Sequence, residues 1–325
     1  MKLICGMENT MQKPDGSRKI RSKRSFAQWL NNERVAGLIF VLPFIIGFLV
    51  FLAYPMATSF YYSFTRYNIL KQPTFIGLDN YITMFTKDEL FRKVFGVTLY
   101  YVIFSVPLRL IMALAVALLL VRTTRLSSFY RAVFYLPSII GSSVAVALLW
   151  KRIWASDGVV NALLNLVGIQ SDIAWLGRES TAMWVLIVLA VWQFGSSMLI
   201  FLSGLKQIPV SLYESARMDG GTGIKVFFKI TLPMLTPTIF FNLINQLIGG
   251  FMAFTQSYVI TQGKPNNSTL FFAYYMYTNA FTNQKMGYAC ALAWTMVAFV
   301  GLLTFNSAGC DSFHKVFLHC DKNKK

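Results

Sequence analysis

The chain runs to 325 residues, 55% of them apolar and only 13% charged, with a mean hydropathy of +0.52. About a quarter of the residues of an ordinary soluble domain are charged, so the composition excludes that class. The formal net charge of +17 invites a nucleic-acid reading, but the basic residues sit in caps and loops around apolar runs and form no single soluble face, which argues against that partner as well.

Residues 1–34 carry eight Lys or Arg against three acids. A tail of that kind resists translocation and is expected to stay inside as a basic cytoplasmic segment, with a short surface helix around Trp29. The first apolar run, about Val35 to Phe60, exceeds the apolar core of a signal peptide and predicts a retained spanning helix. Pro43 and Pro55 imply a kink or an early stop in it. In the outside segment that follows, Gly77-Leu78-Asp79-Asn80-Tyr81 reads as a turn into a short interfacial helix. Span two, about Phe95 to Leu120, contains one charge, Arg109. A charge in hydrocarbon is costly, so Arg109 either points into the bundle, marks a functional wall, pairs with a carbonyl or reaches the interface. A short basic loop with Arg122, Arg125 and Arg131 leads to span three, about Ala132 to Leu149, interrupted by Pro137 and by Gly141-Ser142-Ser143. Residues that small let another helix approach, which predicts a span packed inside the bundle.

The outside segment from Lys151 to about Ser180 holds a turn at Asp157-Gly158 and an amphipathic piece over 159–167. Span four, about Thr181 to Leu205, places Trp192-Gln193-Phe194-Gly195-Ser196-Ser197 near mid-depth, a pattern that suits a lined path. A charged inside loop, Lys206 to Pro233, follows. Glu214 to Asp219 has good helix formers, Gly220 to Gly223 is a glycine-rich break, and Ile224 to Ile230 forms a second short piece that ends before Leu232-Pro233. A chain that had only to cross the bilayer needs no such segment, whereas one that receives force from a soluble partner does. In span five, about Met234 to Ile260, Asn242, Asn245, Gln246 and Gly249 recur at three and four and so share a helix face. Amides in hydrocarbon must meet each other, a neighbouring helix or a polar passenger. Span six, Met286 to about Phe305, looks short for a crossing, and residues 306–325 form a polar tail. With these boundaries the inside segments hold 19 Lys or Arg and the outside ones 10. That bias predicts an all-α polytopic membrane protein, with six transmembrane helices over 35–305 and both termini cytoplasmic.

The loop between spans four and five also carries a likeness. Glu214-Ser215-Ala216, then three residues, Gly220, nine residues and Ile230-Thr231-Leu232-Pro233 resembles the EAA loop of the membrane subunits of binding-protein-dependent ABC importers. Leu205 to Pro209, Tyr213 and Arg217 to Gly220 are similar to the carbohydrate branch, the maltose, lactose and glycerol-phosphate type of permease. The resemblance extends over about residues 30–300, through Phe75 to Tyr81, Arg131 to Pro137, Trp150 to Trp154, Trp175-Leu176 and Met286 to Ala293.

The resemblance implies that the first helix of this loop is a coupling helix seated in a cytoplasmic ATPase. Glu214 would accept a charge-assisted hydrogen bond from that partner. Ser215 and Ala216 would allow close docking, and Gly220 would supply the turn. Ile230 and Leu232 would anchor the second piece, and Pro233 would open span five. The implied partners are a second homologous permease subunit, two copies of an ATP-binding subunit and an extracytoplasmic sugar-binding protein, in a bacterial cytoplasmic membrane. The chain has no phosphate-binding loop of its own, so no cofactor is implied and ATP hydrolysis is expected on the separate subunit.

Gln193, Asn242, Asn245, Gln246 and Gly249 are the expected path residues, since neutral amides suit a hydroxyl-rich solute. Interhelical glue is the alternative for each. Phosphate would call for basic residues at depth, where only Arg109 is available. Two features depart from the branch. Thr261-Gln262-Gly263-Lys264-Pro265 replaces a run of glycines before the proline, and an unusual sequence follows Thr304. Cys310, His314, His319 and Cys320 lack the close two-cysteine knuckle of a zinc site, and no metal is expected. Asn266-Asn267-Ser268-Thr269 reads as a chance match to glycosylation acceptors. The competing class is a self-contained secondary transporter or channel. It would need intramembrane acids or paired half-repeats, and no Asp or Glu falls within the six predicted spans. A membrane enzyme would need a cluster of acids or histidines at one interface, and none is present.

Overall fold

The computed structural model describes residues 33–121, 127–169 and 173–308. The expected surface helix around Trp29, Arg122, Arg125, and the tail with Cys310, His314, His319 and Cys320 lie outside the described residues. The described residues are helical apart from one two-stranded hairpin. Contacts divide the chain into two units, residues 1–58 and 59–325.

The first unit is described from helix α1 (Glu33–Phe48), which is followed by a π-helical stretch, Leu49–Ala53. Pro43 lies inside α1. It withholds one backbone donor, and a widened turn lies between it and Pro55. Helix α2 (Tyr54–Ser63) follows, and the apolar stretch over Phe40–Ser63 is 24 residues long. At 1.5 Å per residue that is about 36 Å, enough to cross a hydrocarbon core of about 30 Å.

In the second unit the hairpin pairs β1 (Thr65–Asn68) with β2 (Lys71–Phe75). The sequence reading had no strand here, because β2 is exposed throughout and shows no alternation to read. Gly77, at φ +60°, makes the turn into helix α3 (Asp79–Thr86). Asn80 ties that helix back by donating to the carbonyls of Ser63 and Thr65 at 2.8 and 2.9 Å.

Helix α4 (Glu89–Leu120) is the axis of this unit. Its buried residues, among them Val94, Thr98, Tyr101, Ser105, Ala113 and Ala117, recur at three and four and meet helices on more than one side. Span three is two helices, α5 (Ser127–Ile140) and α6 (Val144–Ile153), set at 97° to each other. The expectation that it packs inside the bundle is not met. Leu136, Ile139, Leu148 and Leu149 are exposed, while Gly141 and Ala147 are buried. The small residues make the sharp turn, where Ser143 caps α6 by accepting from the Val146 amide.

Helix α7 (Val159–Leu166) lies in the next connection, pinned by Asn161, whose amide donates to the Ser156 and Ile173 carbonyls. Span four is α8 (Glu179–Trp192) and α9 (Gly195–Gln207), bent by 42°. Helices α10 (Val210–Met218) and α11 (Gly223–Val226) form the loop, a π-helical stretch Phe227–Thr231 follows, and α12 (Leu232–Phe251) continues without a stop. The second loop piece is therefore no separate helix. It is the start of one apolar run, Gly223–Thr261, in which the widened turn Phe227–Thr231 leads directly into Pro233 and accommodates its missing donor. Helix α13 (Phe272–Tyr277) precedes α14 (Met286–Ala308), whose apolar stretch Met286–Asn306 is 21 residues long. At about 31 Å that length suffices for a crossing. Among the described residues four helices are long and apolar enough to span, or up to six when each bent pair is one span.

Candidate functional site

The charged loop is the most exposed helical part of the second unit. No residue of α10 is buried, and Val210 and Met218 are 68% and 88% exposed. Glu214 and Ser215 point outward, Ala216 is half-buried, and Glu214 makes no hydrogen bond or ion pair among the described residues. The helix ends in a left-handed cap. Gly220 has φ +72°, its amide donates to the Arg217 carbonyl, and the Gly221 amide donates to the Ala216 carbonyl at 2.8 Å. A residue with a Cβ adopts that conformation only with strain. The loop is held at its base by Tyr213, whose hydroxyl lies 3.1 Å from that of Thr231. Thr231 is buried, while Ile230, Leu232 and Pro233 on either side are half-buried. A cavity of about 590 Å³ opens between this base and α4, lined by Leu118, Tyr213, Arg217, Phe227 and Thr231.

A second polar region lies where the two broken spans meet. Span four breaks at Gln193, and its free carbonyl receives three donors: Arg109 Nε at 3.0 Å, Arg109 Nη2 at 2.5 Å and Ser138 Oγ at 2.8 Å. The Gln193 amide donates to the Gly141 carbonyl at 2.8 Å, so one break caps the other. A Cβ on Gly141 would stand 2.6 Å from Gln193 Cγ, and one on Gly195 would stand 2.5 Å from the Phe134 carbonyl. Both glycines are there because nothing larger fits.

Beside this knot is a cavity of about 140 Å³, lined by Tyr101, Ser105, Arg109, Gln193, Gln246 and Gly249 among others. Three of the five expected path residues therefore share one space. Gln246 donates to Ser197 Oγ at 2.8 Å. Asn242, one turn further toward the charged loop, is wholly buried with neither amide atom paired. Asn245 is exposed, and its amide donates to its own helix at the Phe241 carbonyl.

Asp88 escaped the sequence reading. It caps α4 through the Phe91 amide at 3.0 Å and accepts from the hydroxyls of Tyr275, at 2.5 Å, and Tyr288. Burial opposes the carboxylate, but these donors outweigh it and hold Asp88 below the usual aspartate range. Burial, reinforced by the bond to Asp88, pushes Tyr275 up to about 12. The readable signal was an Asp directly before an acidic first turn, the mark of an N-cap. An open cleft of about 730 Å³ adjoins it, lined by Arg66, Lys87, Asp88, Asn279 and Lys285 among others.

The chain is thus a polytopic helical membrane protein with a polar cavity beside its broken spans and one exposed charged helix. Residues 93–308 match the family of binding-protein-dependent transport system inner membrane components. Over 292 residues the chain is 49% identical to YesP, a probable ABC transporter permease protein of Bacillus subtilis (strain 168), with 89% of this chain and 93% of the relative covered. It is 30% identical over 266 residues to AraP, the arabinooligosaccharides transport system permease protein of the same organism, with 80% and 83% covered. The structure is similar to a chain of a bacterial ABC transporter involved in import of the acidic polysaccharide alginate. The TM-score is 0.73 at 25% identity, covering 87% of this chain and 97% of that one. The protein belongs to the binding-protein-dependent ABC permease family, in its carbohydrate-uptake branch. It is a multi-pass, non-catalytic subunit of a bacterial inner-membrane importer.

Proposed function

We propose that this permease forms half of an oligosaccharide path and receives its driving force through residues 214–233. The observation that carries the reading is Glu214, a carboxylate with no partner among the described residues, on a helix with no buried residue that is fastened to the foot of the run that bears Gln246. An acid left unpaired beside exposed apolar residues suits a docking surface for a soluble protein. In this reading a second permease subunit completes the path, two copies of a cytoplasmic ATP-binding subunit grip the coupling helices, and an extracytoplasmic binding protein delivers the solute. Residues 1–34 and 306–325 are then cytoplasmic tails around a transmembrane domain over 35–305. ATP binding and solute delivery bias one two-state element from opposite ends.

Gln193, Asn242, Gln246 and Gly249 are the path residues of this proposal, with Asn245 on the same helix facing outward toward the second subunit. Asn242 supports it most, since a buried amide with both groups unpaired is expensive unless a mobile partner completes it. The names of relatives point to oligosaccharides as the cargo, both neutral and acidic.

The test is uptake into vesicles that hold the whole assembly. Transport should require ATP and the binding protein. Glu214→Ala should lower it by about tenfold or more, the scale of one charge-assisted bond of about 1.5–3 kcal/mol. Uptake by this chain alone, without ATP, would sink the proposal in favour of a self-contained transporter.

A further inference from the structure

We propose that Arg109 reads a carboxylate on the passing solute, so that the importer takes uronate-bearing oligosaccharides. The proposal rests on the importer reading above and goes further by naming the chemical class. Arg109 lies deep in its span. Fifteen residues separate it from Val94 and eleven from Leu120, about 22 and 17 Å of helix. A guanidinium has five N–H donors, of which the bonds to the Gln193 carbonyl use two.

No acid among the described residues neutralises it, and the carbonyl end of α8 on which it sits offers only a partial negative charge. The cavity beside it is lined by neutral groups, Tyr101, Ser105, Gln193, Gln246 and Gln256. Among the described residues the only ion pair is Arg66 with Asp79. Glu89 and Glu179 stand at the first positions of their helices, and no acid lies deeper in a described span.

Capping the helix break explains part of this residue but not its charge. Ser138 already donates to the same carbonyl at 2.8 Å, so a neutral side chain can do that work, whereas a cation in hydrocarbon is costly unless something anionic meets it. A carboxylate is the complement, because the planar fork of arginine binds one through two parallel hydrogen bonds. The space agrees. A cavity of about 140 Å³ holds roughly four or five waters at about 30 Å³ each, which admits an acidic group and its neighbouring hydroxyls but no whole oligosaccharide. Gly249, where a Cβ would meet nothing within 4 Å, keeps one wall open.

The experiment compares ATP-driven uptake of a uronate disaccharide with that of its neutral, carboxyl-reduced counterpart, in vesicles holding the complete assembly. The wild type should take up the acidic sugar. Arg109→Gln should lower the ratio of acidic to neutral uptake more than tenfold, and Arg109→Lys should lower it less. Because Arg109 also holds the helix break, a second variant avoids that bond. Gly249→Asp places a carboxylate in the same cavity, where a new Cβ meets nothing within 4 Å. It should lower the ratio, and Gly249→Asn should not.

Equal loss of both sugars in Arg109→Gln, with no selective effect of Gly249→Asp, would overturn the proposal and leave Arg109 as a cap. Neutral uptake by the wild type without acidic uptake would overturn it while the importer reading stands. Selective loss of a sugar phosphate in place of the uronate would overturn the carboxylate assignment. ATP-dependent uptake of none of these would remove the importer reading along with it.

Discussion

The charged loop of residues 206–233 and the knot of broken helices are both polar, and they use polarity in opposite ways. In the loop Glu214 and Ser215 face outward and Glu214 has no partner among the described residues. In the knot Gln193 is engaged at both its backbone and its side chain, and Ser138 and two donors of Arg109 meet on its carbonyl. The loop leaves its acid free, whereas the knot ties most of its polar atoms to backbone. Asn242 fits neither pattern, because it is buried like the knot and unpaired like the loop.

The largest expected effect tests the knot. Gly195→Val would drive a side chain into the Phe134 backbone, an overpacking of several kcal/mol that the folded state cannot absorb. The variant should fail to accumulate in membranes, as judged by the yield of monodisperse protein in detergent. Glu214→Ala provides the contrast, with a thermal midpoint unchanged to within about 0.5 kcal/mol of stability even where transport collapses. If Glu214→Ala also unfolds the protein, the division between the two regions fails.

How much of this was legible depends on how local each signal is. The spans and the loop motif could be read because apolar length and the Glu214-to-Pro233 spacing are properties of contiguous sequence. The knot could not, since the chief partner of Arg109 is a backbone carbonyl 84 residues away, and residue type says nothing about which carbonyl is free. The possibility that Arg109 meets a carbonyl was visible; its address was not. Likewise the three-and-four spacing put four residues on one face of span five, but it could not say that Gln246 and Gly249 look into the cavity while Asn245 looks out. The hairpin of residues 65–75 shows no alternation because its second strand is exposed on both faces.

An intermediate effect is expected at the outer end. Asp88→Ala removes a helix cap and leaves two tyrosine hydroxyls short of an acceptor, about 1–3 kcal/mol together. The aspartate is depressed in the folded state, so its stabilisation is present above the unfolded value near 3.9 and lost as pH falls through the lower folded value. The melting difference between wild type and Asp88→Asn should accordingly shrink as pH drops from about 5 to about 3. A difference that grows on acidification would refute the assignment.

The smallest effect discriminates most finely. Asn242→Leu removes a desolvated amide of similar volume and should leave stability equal or raise it by about 1 kcal/mol, while uptake falls. Loss of stability with uptake intact would place Asn242 among the groups that hold helices together.

The absence of a stop between the loop and span five has a mechanical consequence. From Gly223 to Gln246 is 23 residues of one helical run, a lever arm of about 35 Å. Tilting such an arm by about 10° carries its far end through about 6 Å, more than the width of a sugar hydroxyl and its hydrogen bond. A displacement of α10 passed to the foot of this run through the Tyr213–Thr231 contact therefore needs no further relay of side chains along the span to reach the cavity.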